Sequence, residues 1–232
     1  MRILITSGGT KVDIDPVRHI MNMSKGTMGK SIAIEALNNG HEVHFLTSED
    51  GKTPFKIGLD LNSIPIGVAR GSLDDLIDFY QNYKDRYQEF SFRTYEDYRE
   101  KMFALPRCFH YDAIIMCAAV SDYTADFQQN KVKSSSEMSI QLYPTEKIID
   151  KMRSIAPKSK LVGFKLLNDS SPDALERVCQ DYIKRKNLDM MVGNDLLAMR
   201  SGDYYQVHCT QDTSVIVKIN FAYHIIQGIS KL

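Results

Sequence analysis

Two short stretches near the start of the chain are crowded with small and hydroxyl residues, and an arginine and an asparagine stand between them. Ser7-Gly8-Gly9-Thr10 follows the apolar, β-branched run Arg2-Ile-Leu-Ile-Thr6, and Ser24-Lys-Gly26-Thr-Met-Gly29 precedes a run with helical spacing. Exposed backbone N–H groups in such loops, and at a helix N-terminus, favour a phosphate or a carboxylate. A tight turn alone would also need two adjacent glycines. Residues 24–31 imitate the end of a P-loop, but a P-loop requires glycine at position 24 and a strand immediately before it. That reading fails here; an anion cradle of Ser24, Gly26 and Gly29 stands. Arg18 carries a planar fork suited to phosphate or carboxylate, although a surface ion pair is its plainer use. Asn22 offers a neutral amide, able to orient an acyl-phosphate or oxyanion without attacking it. Before a helix it would also serve as a cap.

A second group of residues follows the apolar run at 112–119. Ala118-Ala119-Val-Ser-Asp122-Tyr123 sets two small side chains at a strand end, where a ligand approaches backbone closely. Asp122 suits ribose hydroxyls or a metal ion, or simply caps a loop. Lys131-Val-Lys133 lies in a segment, 121–139, with neither helical nor strand period, and reads as a flap carrying a cation or as a solvated loop. Lys184-Arg-Lys186 closes a helix, where cations complement the dipole, or meets a triphosphate. Asn194-Asp195 is either a turn or a site-lining pair. The six histidines show no ligand pattern, no Ser-His-Asp or Cys-His arrangement emerges, and the dinucleotide fingerprint G-x-G-x-x-G is absent after the first strand.

The elements that must position these residues alternate. Strands are expected at 2–6, 41–47, 112–119, 160–164 and 188–192, and helices at 27–39, 145–152, 172–186 and 220–231. Thr145 is the expected N-cap of its helix. Residues 64–68 read as a short edge strand weakened by its proline. Residues 72–104 read as a helical insertion, and 204–218 as a hairpin turning at 211–212. The pattern predicts one domain over 1–232. Its fold class is a doubly wound, mainly parallel Rossmann-like α/β sheet with a C-terminal β-hairpin and helix. Such sheets bind ligands at the carboxyl ends of their strands, so the loops after residues 6, 118, 164 and 192 should converge.

Composition narrows the setting. The 29 basic and 29 acidic residues cancel, which argues against a broad nucleic-acid surface. Four dispersed cysteines without a C-x-x-C pair suit reduced thiols and not a disulfide framework. No signal-peptide pattern and no apolar run of membrane-spanning length is visible, so a cytoplasmic protein is expected.

Taken together, the motifs resemble phosphopantothenate–cysteine ligases. The residues that carry the resemblance are Thr6-Ser-Gly-Gly-Thr10, Asp15-Pro-Val-Arg18, Asn22 with Ser24-x-Gly-x-Met-Gly29, Ala118-Ala-Val-Ser-Asp-Tyr123, Lys131-x-Lys133, Gly163-Phe-Lys-Leu166, and Lys186-x-Leu-Asp189 to Asn194-Asp195. They follow the family's order along nearly the whole chain. The resemblance implies a homodimer that uses CTP and Mg²⁺ to activate 4′-phosphopantothenate, then couples cysteine. It implies the stand-alone form, without the flavin-dependent decarboxylase half fused in front. It makes Asn22 and Lys131 the catalytic residues, and Arg18, Ser24, Gly26 and Ala119 substrate contacts, with Arg18 reaching across the dimer. Nucleotide contacts fall to Ser7, Gly8, Gly9, Met116, Cys117, Ala118, Asp122, Lys131, Thr145, Glu146, Lys147, Ile148, Phe164 and Lys186. The interval from Asp122 to the flap is slightly short, which leaves Lys133 as the alternative flap lysine. The rivals are an NAD(P)-dependent short-chain reductase, for which Tyr80 and Lys84 have the spacing, and a nucleotide-binding module without chemistry. The terminal hairpin, with Tyr204, Tyr205, Val207, Val215 and Val217, offers an edge for pairing with a second copy.

Overall fold

The computed structural model describes residues 1–56, 66–131 and 138–232. Six strands run parallel: β1 (Arg2–Ser7), β4 (Glu42–Ser48), β5 (Tyr87–Phe92), β6 (Ala113–Met116), β9 (Lys160–Leu167) and β10 (Met190–Asp195). β11 (Gln206–Thr210) and β12 (Ser214–Val217) add antiparallel at one edge, giving the order β12-β11-β10-β9-β6-β1-β4-β5. Among the parallel strands the chain works outward from β1 to one edge through β4 and β5. It then returns beside β1 with β6 and works outward the other way. This is the doubly wound order, and its switch point lies between β1 and β6, where such sheets open a crevice. The expected fold class is the one observed.

Side chains leave alternate faces of a strand, and the core divides accordingly. Leu4 and Ile114 join α3 (Tyr95–Cys108), α4 (Ile149–Ile155) and α5 (Pro172–Lys186) on one face, through Tyr98, Met102, Met152, Cys179 and Ile183. Ile3, Ile5 and Ile115 face α1 (Thr27–Asn38) and α7 (Phe221–Lys231), through Ile32, Ala36, Ile225 and Ile229. All these side chains are buried, which is what the run of apolar residues in a two-sided parallel sheet requires.

Several elements differ from expectation. Residues 72–104 are not one helical insertion: α2 (Ile66–Tyr83) and a 3₁₀ turn lead into β5, the edge strand, before α3 begins. Residues 66–68, expected as strand, are the first turn of α2; 64–65 lie outside the described residues. Two small antiparallel ribbons have no counterpart in the sequence reading: β2 (Lys11–Asp15) with β3 (Arg18–Met21), and β7 (Tyr123–Ala125) with β8 (Leu142–Pro144). The second falls partly within the segment expected to lack strand. Thr145 does not cap its helix, which starts four residues later at Ile149; its hydroxyl donates to the Ser121 carbonyl at 2.8 Å instead. A short helix, α6 (Leu196–Ser201), follows β10 and is capped by Asp195.

His208, on β11, is buried and meets Gln206 Oε1 at 2.8 Å. Burial, with His224 nearby, pulls its imidazole down to about 4 from the ordinary 6.5. The native state therefore binds fewer protons than the unfolded chain between those values, and stability falls as pH drops from 6.5 towards 4. The loss should reach about 2 kcal/mol by pH 5. Thermal melts of the protein and of a His208→Gln variant check this: the variant's melting temperature should change less between pH 7 and pH 5. Parallel curves would remove His208 as the cause.

Candidate active site

The two loops singled out in the sequence lock into each other. Ser7 ends β1, is buried, and its Oγ donates to the Gly26 carbonyl at 3.1 Å. Gly26 adopts φ 76° at the N-cap of α1, and a Cβ there would stand 2.5 Å from Ser7 Oγ. At Gly29 a Cβ would meet Ser7 Cβ at 2.6 Å. Both positions thus require glycine for close approach, and Gly26 for its backbone as well. Gly8, at φ 83°, passes equally close to Ser48.

Ala119 is the seam between this pair of loops and the end of β6. Its N–H donates to the Gly8 carbonyl at 2.8 Å, and its carbonyl accepts from Thr10 N at 3.2 Å and from the Asn22 amide Nδ2 at 3.0 Å. Ser121 N donates to Thr10 Oγ1 at 2.9 Å, extending the same join. Asn22 is exposed, with its amide held against the strand end. Ser24 is half-buried between Asn22 and Gly26.

Beyond the seam, a cleft of about 270 Å³ opens past β6 and β9. Met116, Ala118, Asp122, Thr145, Glu146, Lys147, Ile148 and Phe164 line it together, all of them expected nucleotide contacts. Lys147 and Asp122 form an ion pair at its exposed rim. Thr145 N donates to the Asp122 carbonyl at 2.9 Å, fixing the two rim segments to each other. Sequence reasoning missed Tyr98, Val120, Ser121, Ile149, Lys165, Tyr182 and Met191 as lining residues. Lys165 Nζ reaches the Tyr182 hydroxyl at 3.3 Å and lies 5.0 Å from its ring centre. The immediate sequence neighbourhood of Phe164 pointed at Lys165; nothing local pointed at Tyr98 or Tyr182, which helices bring in from elsewhere.

Other expected residues stand apart. Cys117 does not line the cleft; its side chain packs with the α1–α7 core, and burial pushes the thiol up to about 12. Lys186 does not line it either: its Nζ lies 2.7 Å from Asp150. Arg18, on β3, holds the buried carboxylate of Asp15 through Nε at 3.0 Å and through Nη2. Lys131 is exposed, and Lys133 lies outside the described residues. Asn194 Oδ1 accepts from Tyr204 and Gln206, and Asp195 accepts from Ser170 N and Ala198 N, so this pair organises the region around β10 and α6. A larger, more open hollow of about 670 Å³ surrounds α6, but neither anion loop contributes to it. The Tyr80–Lys84 spacing falls at the end of α2, where Tyr80 packs edge-on to Phe55 and is no part of the cleft.

A doubly wound sheet with glycine-locked loops at its switch point and a small cleft beside them is the arrangement in which open α/β sheets bind their ligands. The chain belongs to the DNA/pantothenate metabolism flavoprotein C-terminal domain family, whose model matches residues 1–71 and 86–231. The coenzyme A biosynthesis bifunctional protein CoaBC of Thermococcus kodakarensis is 31% identical over 201 residues, covering 86% of this chain and 42% of that protein. The chain thus spans less than half the length of such curated relatives. The DNA/pantothenate metabolism flavoprotein from Streptococcus pneumoniae superposes with a TM-score of 0.78 at 25% identity, over 100% of this chain and 99% of that one. A Cab2 mutant in complex with phosphopantothenate-cysteine has the same fold, with a TM-score of 0.84 at 23% identity, over 99% of this chain and 85% of that one. Among the described residues, no helix is long and apolar enough to cross a membrane.

Proposed function

We propose that this domain is a phosphopantothenate–cysteine ligase acting in coenzyme A biosynthesis in the cytoplasm. CTP and 4′-phosphopantothenate meet first: a carboxylate oxygen bonds to the α-phosphorus, and the bond to the bridging oxygen breaks to release pyrophosphate. The cysteine amine then attacks the acyl carbon, loses its proton, and displaces CMP. The observation that carries this reading is the seam at Ala119. One carbonyl joins the Asn22 amide and the first anion loop to a strand end that opens directly into the cleft. On this reading a neutral donor would lie beside the point where a nucleotide in the cleft and an anion on the loops would touch. Membership of the family and the bifunctional relatives in coenzyme A biosynthesis support it.

The triphosphate calls for Mg²⁺. Among the described residues no group of three or more His, Cys, Asp or Glu is placed to hold a metal. Mg²⁺ bound chiefly by phosphates needs only one or two carboxylates, and Asp122 at the cleft rim fits that role. The metal would neutralise triphosphate charge. The expected result is pyrophosphate release and 4′-phosphopantothenoylcysteine formation from CTP, phosphopantothenate and cysteine, both abolished by a chelator and restored by Mg²⁺. Nicotinamide oxidation in place of pyrophosphate release would favour a reductase, and nucleotide binding without turnover a module lacking chemistry.

The proposal extends to a homodimer with composite sites. On the ribbon that carries Arg18, Val17, Ile20, Met21 and the following Met23 are exposed, and on the adjoining one so are Tyr123, Leu142 and Tyr143. Apolar side chains concentrated this way favour burial against a matching surface. The terminal hairpin supports pairing less well, because Val207 and Val217 are buried within their own sheet and only Val215 and Ile216 face out. If Arg18 serves the neighbouring subunit's site, mixing inactive Arg18→Ala and Asn22→Ala proteins should restore activity, since each mixed dimer holds one intact site. Random exchange would give about a quarter of native activity. No recovery after confirmed subunit exchange would place both residues in one chain's site.

A further inference from the structure

Helix α3 sends two tyrosines to the two walls of the cleft. Tyr95 and Tyr98 are three residues apart, hence on one helix face, and both are buried. The Tyr95 hydroxyl donates to the Glu146 carbonyl at 2.7 Å, on the segment that forms one rim. The Tyr98 hydroxyl donates to Thr6 Oγ1 at 3.3 Å, and the same oxygen accepts from Ala118 N at 3.1 Å, at the strand end that forms the other. Arg99, one residue further, reaches Glu146 Oε2 at 3.2 Å. One rigid helix therefore holds both the 145–148 segment and the β1–β6 strand ends.

Phenylalanine would fill the same space at either position. A buried hydroxyl costs free energy unless bonded, so its presence matters through the bond it makes. The Tyr98 ring packs against Phe92 at 5.0 Å between centroids, which anchors that side chain independently of its hydroxyl. Topology adds to the effect: α3 links β5 to β6, which lie on opposite sides of β1 and β4 in the sheet. It is thus the element that spans from the far edge to the switch point.

We propose that Tyr95 and Tyr98 are positioning residues that set the width of the nucleotide cleft, Tyr95 through the Glu146 carbonyl and Tyr98 through Thr6 and Ala118. For its catalytic consequence this rests on the ligase reading above; for its structural core it does not. The test therefore has two readouts. Amide hydrogen exchange on the ligand-free protein should show Tyr95→Phe loosening residues 145–149 alone, and Tyr98→Phe loosening 117–121 alone. Thr6→Val removes the Tyr98 bond from its other end and should loosen 117–121 as well. In the ligase assay, Tyr95→Phe should raise the KM for CTP about threefold to tenfold, the value of one hydrogen bond, while the KM for phosphopantothenate stays. Exchange that is unchanged, or that rises evenly across the sheet with a fall in melting temperature, would make the tyrosines plain core residues. Local loosening in a protein that does not turn over CTP would sink the ligase reading and leave the positioning role standing. Local loosening with an unchanged CTP KM in an active enzyme would overturn the claim that cleft width governs nucleotide binding.

Discussion

An Asn22→Ala protein should release pyrophosphate from CTP and phosphopantothenate on its first turnover and then stall. Product formation should fall about 10²–10³-fold, the usual effect of losing one preorganised donor at a reacting carbonyl. The geometry separates the steps. Asn22 carries no charge to offer a triphosphate, and its amide lies beside the strand end and not within the cleft lining. The fold should survive, because Ala119 keeps its backbone bonds to Gly8 and Thr10 when the amide is removed. Quenched single-turnover reactions would detect the trapped acyl-cytidylate. Native rates of product formation would remove Asn22 from the chemistry.

Lys131→Gln should fail earlier. A cation brought over the triphosphate acts while charge gathers on departing pyrophosphate, where such groups are worth about 10³-fold or more. Pyrophosphate release and product should fall together, with no acyl-cytidylate accumulating. The melting temperature should hold, since Lys131 is exposed and makes no ion pair or hydrogen bond with another described residue. The comparison with Lys133→Gln settles the register of that segment: if the damage follows Lys133, the assignment across the shortened interval is wrong.

The parallel strands and most helices were legible because their signals are local. Ile3, Ile5 and Ile115 sit in short apolar runs, and Thr27–Asn38 repeats at helical spacing with Gly40 to stop it. The edge strand Tyr87–Phe92 was not, because Tyr-Gln-Glu-Phe-Ser-Phe is short, its adjacent Gln88 and Glu89 break the alternation expected of a half-buried strand, and it is flanked on both sides by true helices whose spacing runs over it. The two ribbons depend on distant partners: Arg93 pairs with Asp13, and Gln128 N donates to the Ile14 carbonyl. No local pattern announces such contacts. Thr145 shows the same limit, since a good capping residue was taken by the Ser121 carbonyl from another loop. At the site, small residues and strand ends pointed to the loops around Ser7 and Ala118. Tyr98 and Tyr182 stayed hidden because each occupies an ordinary core position on its helix and reaches the cleft only through the way the sheet is wound.

The interlock of Ser7 with Gly26 and Gly29 bears on how fast and how tightly an anion would be held. Loop and helix start form one body before any ligand arrives, so capture would spend little entropy on ordering backbone. Arrival would then be governed by diffusion and shedding of water, and differences among related anions would be expressed in their residence times. The same interlock confines change. A single added methyl group at Gly29 has no space to occupy, so variation in ligand preference must come from the surrounding loops while the socket itself stays fixed.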